Sequence, residues 1–231
     1  MRLPYPILML VLFCSCRREK TQLLQYRTEG IWTVDIVQAA TVYLPFDEKN
    51  IDFPIYYIGL PKDTIRIGRC YWRGRTPWTN PQWLAISRKH YDQTLEIQVD
   101  TTVRTTSTLE YWYEDGQVNP DSSLHYHAFA LTVKNKSDSA VFMGRAFSLY
   151  FMRREVKDRS GRWVRIGKTL YELGICGSGE PRIYLNPGEI ILSKLRRSRG
   201  HFVTDCRLVF GYEDNVVYSN VYRDSVDERI F

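Results

Sequence analysis

The chain has little helical periodicity, and its longest apolar run, Ile7 to Phe13, spans seven residues. That run is about a third of the ~20 apolar residues a membrane-crossing helix needs, and no later stretch comes closer. There is no Cys-x-x-Cys, so neither a zinc ribbon nor a thioredoxin-type site is supported. Gly-x-Ser-x-Gly, His-Glu-x-x-His, a P-loop and a dinucleotide fingerprint are all missing, which removes the commonest signatures of hydrolases and nucleotide enzymes. No repeat or low-complexity segment occurs. No cofactor is implied. What is present is 44 % hydrophobic and 14 % aromatic residues, the profile of a globular chain rather than a disordered one.

The first residues have the layout of an export signal. Arg2 supplies a positive start, Ile7 to Phe13 an apolar segment, and small Ser15 precedes Cys16. The segment Phe13-Cys14-Ser15-Cys16 resembles the lipobox of bacterial lipoproteins, with Phe13 and Cys14 departing from its usual residues. The resemblance covers residues 1–16. It implies cleavage before Cys16, acylation of that cysteine, and an effectively stable anchor once two chains are attached. Arg17 stands where an Asp would signal inner-membrane retention in a Gram-negative cell. The resemblance therefore implies a lipid-anchored envelope protein, at the outer membrane rather than the inner. An ordinary secretory signal, or an uncut N-terminal anchor, is the alternative.

The formal charge of +6 falls to +5 without Arg2. Two basic clusters stand out, Arg153-Arg154 and Lys194-Leu195-Arg196-Arg197-Ser198-Arg199. They read as solvated loops that aid solubility, with anionic headgroups or a polyanion as the alternative. Nucleic acid is not an expected partner of an exported chain. Cys70, Cys176 and Cys206 remain for the folded part, so one disulfide at most can form. Cys176 with Cys206 is the best candidate pair.

Short strands separated by turn signals dominate the rest. Leu95, Ile97, Val99, Thr101 and Val103 alternate with polar residues, marking a strand buried on one side. Phe147 to Phe151 and Trp163 to Ile166 read as a hairpin around Lys157-Asp158-Arg159-Ser160-Gly161. Phe202 to Gly211 and Val216 to Tyr222 form another pair, placing Cys206 toward the core. Ile31 to Leu44, Ile55 to Leu60 and Asp63 to Gly68 are further strands, while Leu23 to Glu29 and Pro81 to His90 suit a turn or two of helix. The expected fold is all-β: an antiparallel β-sandwich, immunoglobulin-like in the C-terminal half, with a strand-rich N-terminal part. The expected division is a signal at 1–15, a tether at 16–28, the N-terminal part at 29–114 and the sandwich at 121–231. The linker-like run Glu114 to Ser123 separates the last two.

Two constellations could carry function. His125-x-His127 puts two imidazoles on one face of a strand, a weak metal candidate that needs a third ligand such as His201 or Asp205; two hydrogen-bonded rim histidines are the alternative. Trp72, Trp78 and Trp83 crowd an irregular segment, and Trp112 lies between two tyrosines. Exposed rings of this kind suit glycans or protein partners, and rings capping an open end of the sandwich are the alternative. The sequence thus points to a membrane-tethered binding or structural module that recognises protein or glycan. An envelope enzyme, metal-dependent or hydrolytic, is the rival class.

Overall fold

A computed structural model describes residues 21–28, 31–38, 41, 43, 53–67, 90–112, 118–145, 148–172 and 182–231. Most of them are strand: β1 (Thr21–Thr28), β2 (Ile31–Gln38), β3 (Ile55–Gly59), β4 (Thr64–Arg66), β5 (Leu95–Trp112), β6 (Val118–Asn135) and β7 (Val141–Arg145). They continue with β8 (Met152–Lys157), β9 (Trp163–Ile166), β10 (Arg182–Leu185), β11 (Ile190–Arg196), β12 (Phe202–Tyr212), β13 (Asn215–Tyr218) and β14 (Tyr222–Val226). A single helical turn, α1 (Tyr91–Thr94), leads into β5, and a 3-10 turn over Glu228–Ile230 closes the chain.

Two antiparallel sheets form the sandwich. One has the order β3-β11-β6-β5; in the other β12 pairs with β8 on one side and with β13 and β14 on the other, and β9 extends from β8. Their facing sides share one buried cluster, to which Ile97, Val99, Leu131, Val133 and Ile191 contribute from the first sheet. Met152, Val156, Leu208 and Phe210 answer from the second. Each such side chain contributes roughly 1.5–3 kcal/mol by leaving water, so Leu131→Ala should cost about 2–5 kcal/mol. The alternation expected from Leu95 onward is therefore what places the core, and the fold is all-β as expected.

Several expectations need correction. Leu23 to Thr28 are not helical: residues 21–28 are β1, paired antiparallel with β2 from Thr21↔Gln38 to Thr28↔Ile31. The pairing available to a neighbouring strand overrides the weak local preference. The run Glu114 to Ser123 does not separate two units, because β5 and β6 pair with each other across it, from Leu95↔Asn135 to Trp112↔Val118. β11 then bonds to β3 on one side and β6 on the other. The sheet draws strands from both sides of the expected boundary.

A small third sheet, β1-β2-β4, lies beside the sandwich, with β2 and β4 parallel. It is joined through a second apolar cluster of Tyr56, Ile65, Ile67, Ile190 and Leu192. β11 alternates between the two clusters, Ile191 and Leu195 facing one, Ile190 and Leu192 the other. It is covered on both faces, and all seven of its residues are buried.

Candidate functional site

An open pocket of about 390 Å³ lies on the outer side of the five-stranded sheet. Its position follows from strand register. β8 and β12 pair with Met152 opposite Phe210 and Arg153 opposite Val209. Phe210 and Met152 turn inward, so Arg153 and Glu155 turn outward. Phe151 is buried at the pocket's base, while Tyr171 and Tyr212 are 53 % and 43 % exposed. The Tyr171 and Tyr212 ring centroids lie 6.2 Å apart, and each sits within 5.4 Å of Phe151.

Gly211 is required for this arrangement. Its φ is +129°, and a Cβ there would lie 2.0 Å from the Asn215 carbonyl oxygen. Only glycine allows β12 to turn into β13 so closely. The Gly211 carbonyl accepts from Arg153 Nη1 at 2.9 Å, which fixes the guanidinium beside Tyr212.

The pocket's polar rim is built from ion pairs. Arg165 grips both oxygens of Glu172, with Nη1 donating to Oε1 at 2.6 Å. The backbone N–H and hydroxyl of Thr169 also donate to Glu172 at 2.9 Å. Hydrogen bonding from Arg165, aided by Thr169, draws the Glu172 carboxyl down to about 2. It stays ionised at any physiological pH, which suits an acceptor and not a proton donor. Glu155 lies 3.8 Å from Arg153 and accepts from Arg207 at 2.8 Å. The Arg207 guanidinium in turn sits 4.2 Å from the Trp163 ring and 4.0 Å from that of Tyr218. Guanidinium planes stacked on rings keep their geometry. The result is a rigid face of rings and charges.

The residues singled out from sequence fall elsewhere. Cys16, Cys176, Trp72, Trp78 and Trp83 lie outside the described residues. Trp112 ends β5 opposite Val118. Cys206 is a free, buried thiol on β12, within 3.7 Å of the Arg154 guanidinium. His125 shares a hydrogen bond with Thr108 at 3.0 Å. His127 reaches the Thr41 hydroxyl at 2.8 Å and lies 4.5 Å from the Tyr43 ring. Partial burial, with Arg197 and Arg104 nearby, lowers its pKa. Asp205, named as a third ligand, is paired with Lys157 at 3.0 Å. Among the described residues no three His, Cys, Asp or Glu side chains converge on a metal-sized site.

The basic clusters are the sharpest correction, because five of their six cations are buried or half-buried and Arg199 alone is exposed. Lys194 is 1 % exposed, Arg196 3 % and Arg154 0 %. Lys194 pairs with Asp35 of β2 at 2.8 Å, donates to the Thr106 carbonyl at 2.7 Å, and sits 4.4 Å from the Tyr56 ring. Thr105 donates to the same carboxylate. Desolvation lowers the Lys194 pKa against the pull of Asp35. Burial pushes Tyr56 up to about 12. Arg196 donates to Ser107, which shares a hydrogen bond with Tyr56. Arg154 pairs with Asp224 at 2.8 Å and donates to Ser198, while Arg197 takes the other Asp224 oxygen at 3.2 Å.

Compared with known proteins, the chain matches no family model and no curated protein. Sequence reasoning passed over Tyr171 and Tyr212, although each stands beside a turn-forming stretch with a glutamate next to it.

Proposed function

We propose that this chain is a lipid-anchored binding module of the bacterial envelope, whose sandwich recognises a glycan in the Tyr171–Tyr212 pocket. The observation that carries the reading is the pair of exposed tyrosines over Phe151, rimmed by fixed Arg and Glu side chains. A sugar ring offers an apolar face to an aromatic plane and hydroxyls to flanking charged groups, and this pocket supplies both. The volume, about 390 Å³, sits near the lower end of ligand pockets, roughly 300–1,000 Å³. That suits one or two sugar units of a longer chain. The rim carboxylates are held by arginines, an arrangement suited to recognition rather than proton transfer. The tether is supported by the order of Arg2, the apolar run, Ser15 and Cys16.

A glycan array followed by calorimetry tests the pocket. Tyr171→Ala and Tyr212→Ala should each weaken binding at least tenfold while the circular-dichroism spectrum is unchanged. Binding that persists in the double variant removes the pocket from the reading. Metabolic labelling with a fatty-acid analogue tests the tether: wild type is tagged and Cys16→Ser is not.

A further inference from the structure

The charges around the pocket are not all matched. Arg165 is neutralised by Glu172, and Glu155 is shared between Arg153 and Arg207. Glu213 lines the pocket beside Tyr212 and has no ion-pair partner among the described residues. Its backbone holds φ at 49°, the left-handed region where Gly or Asn usually sits. That turn brings a carboxylate to the mouth of an aromatic pocket. A cation within about 6 Å of a tyrosine centroid is drawn to the ring face, and a neighbouring carboxylate adds a charge-assisted hydrogen bond. Together they describe a seat for an ammonium group. Of the two arginines that line the pocket, Arg165 is held by both oxygens of Glu172, while Arg153 donates to the Gly211 carbonyl and shares Glu155 with Arg207.

Resting on the glycan reading above, we infer that the pocket selects a sugar bearing a protonated primary amine, with the ammonium held between the Tyr212 ring and the Glu213 carboxylate. The amine is a donor with three N–H groups, so it can reach Glu213 while the sugar's apolar face lies on Tyr171. An N-acetylated sugar of the same ring lacks the charge and gains only the weaker ring contact.

The test is calorimetric titration of the detergent-solubilised full chain at pH 6 with a glucosamine oligosaccharide and with its fully N-acetylated counterpart of equal length. The unacetylated oligomer should bind at least tenfold more tightly. Glu213→Gln should weaken its binding about tenfold. Raising the pH far enough to discharge the amine should produce the same loss in the unaltered protein, which separates the charge effect from any folding defect of the variant. Equal affinity for the two oligomers overturns the ammonium seat and leaves the glycan reading standing. No binding of either overturns both. A lysine-containing tripeptide that competes as well as the glucosamine oligomer overturns the sugar as carrier of the amine.

Discussion

Two buried ion pairs of equal length teach different things about this molecule. Arg154–Asp224 and Lys194–Asp35 both close at 2.8 Å, and all four side chains are shut off from water. The arginine pair joins β8 and β14, the two strands that flank β12 near Cys206, so it works within one sheet. Its ions have further partners in Ser198 and Arg197. The lysine pair joins β11 of the sandwich to β2 of the small sheet, across a boundary between sheets. A one-residue slip of β2 would turn Asp35 to the opposite face and leave Lys194 buried with no counter-charge. The second pair therefore polices how the small sheet docks. The two cations also differ in chemistry: a guanidinium keeps its proton in any folded protein, whereas a buried ammonium can discharge.

The largest expected effect is at Asp224. Asp224→Ala removes the carboxylate from both Arg154 and Arg197 and should cost about 3–5 kcal/mol, the usual penalty for a buried charge left alone. Urea denaturation would measure it, and a loss below about 1 kcal/mol would contradict the dry pair described here. Asp35→Ala should cost less, about 2–4 kcal/mol at pH 7, because Lys194 can give up its proton. Its folded pKa already lies below the ordinary lysine value of 10.5. Between those two values the folded state binds fewer protons than the unfolded state, so this group's contribution to stability rises with pH. The defect of Asp35→Ala should shrink from pH 7 to pH 10, and that of Asp224→Ala should not. Parallel pH profiles for the two variants would erase the distinction.

Tyr56 gives a third, smaller effect of opposite sign. Its neutral form is favoured in the fold, so between pH 10 and about 12 the folded state keeps a proton that the unfolded chain releases. Stability then falls as pH rises through that window, by about 2–3 kcal/mol. Thermal melts from pH 9 to 12 should show Tyr56→Phe losing less than wild type. Smallest of all is the surface pair. Glu172→Gln should cost only about 0.2–1 kcal/mol, since Arg165–Glu172 is partly exposed and screened. Its low carboxyl value means that this small contribution is present above about pH 4.5 and fades as pH falls toward 2.

The all-β architecture was legible because burial on one face writes a period of two into the sequence. Leu95, Ile97 and Val99 show it plainly, and their strand proved longer than the pattern, running on to Trp112. Beyond a bulge between Asp100 and Arg104, threonines and serines take the buried positions, so hydrophobicity alone no longer marks the strand. The basic run at 194–199 misled for a related reason. Ile190, Leu192, Lys194 and Arg196 share one face, but local sequence cannot say that Asp35, more than 150 positions earlier, covers it. The pocket was hidden by the same kind of distance. Phe151 and Tyr212 meet because β8 and β12 pair in one register, and Tyr171 joins them from beyond β9, its N–H donating to the Tyr150 carbonyl at 3.3 Å. No short motif encodes that meeting.

The β5–β6 pair has a consequence outside both buried pairs. Main-chain bonding between β6 and the β11 side ends with Arg197 N–H donating to the His127 carbonyl at 2.8 Å, yet the two strands stay paired as far as Trp112 and Val118. At about 3.4 Å a residue along β5 from Thr106 to Trp112, that leaves roughly 20 Å of two-stranded ribbon. Among the described residues no third strand borders it. The root of that ribbon is packed, with Ser107, Thr108, His125 and Tyr126 all buried, so the body braces the hairpin where it leaves the sheet.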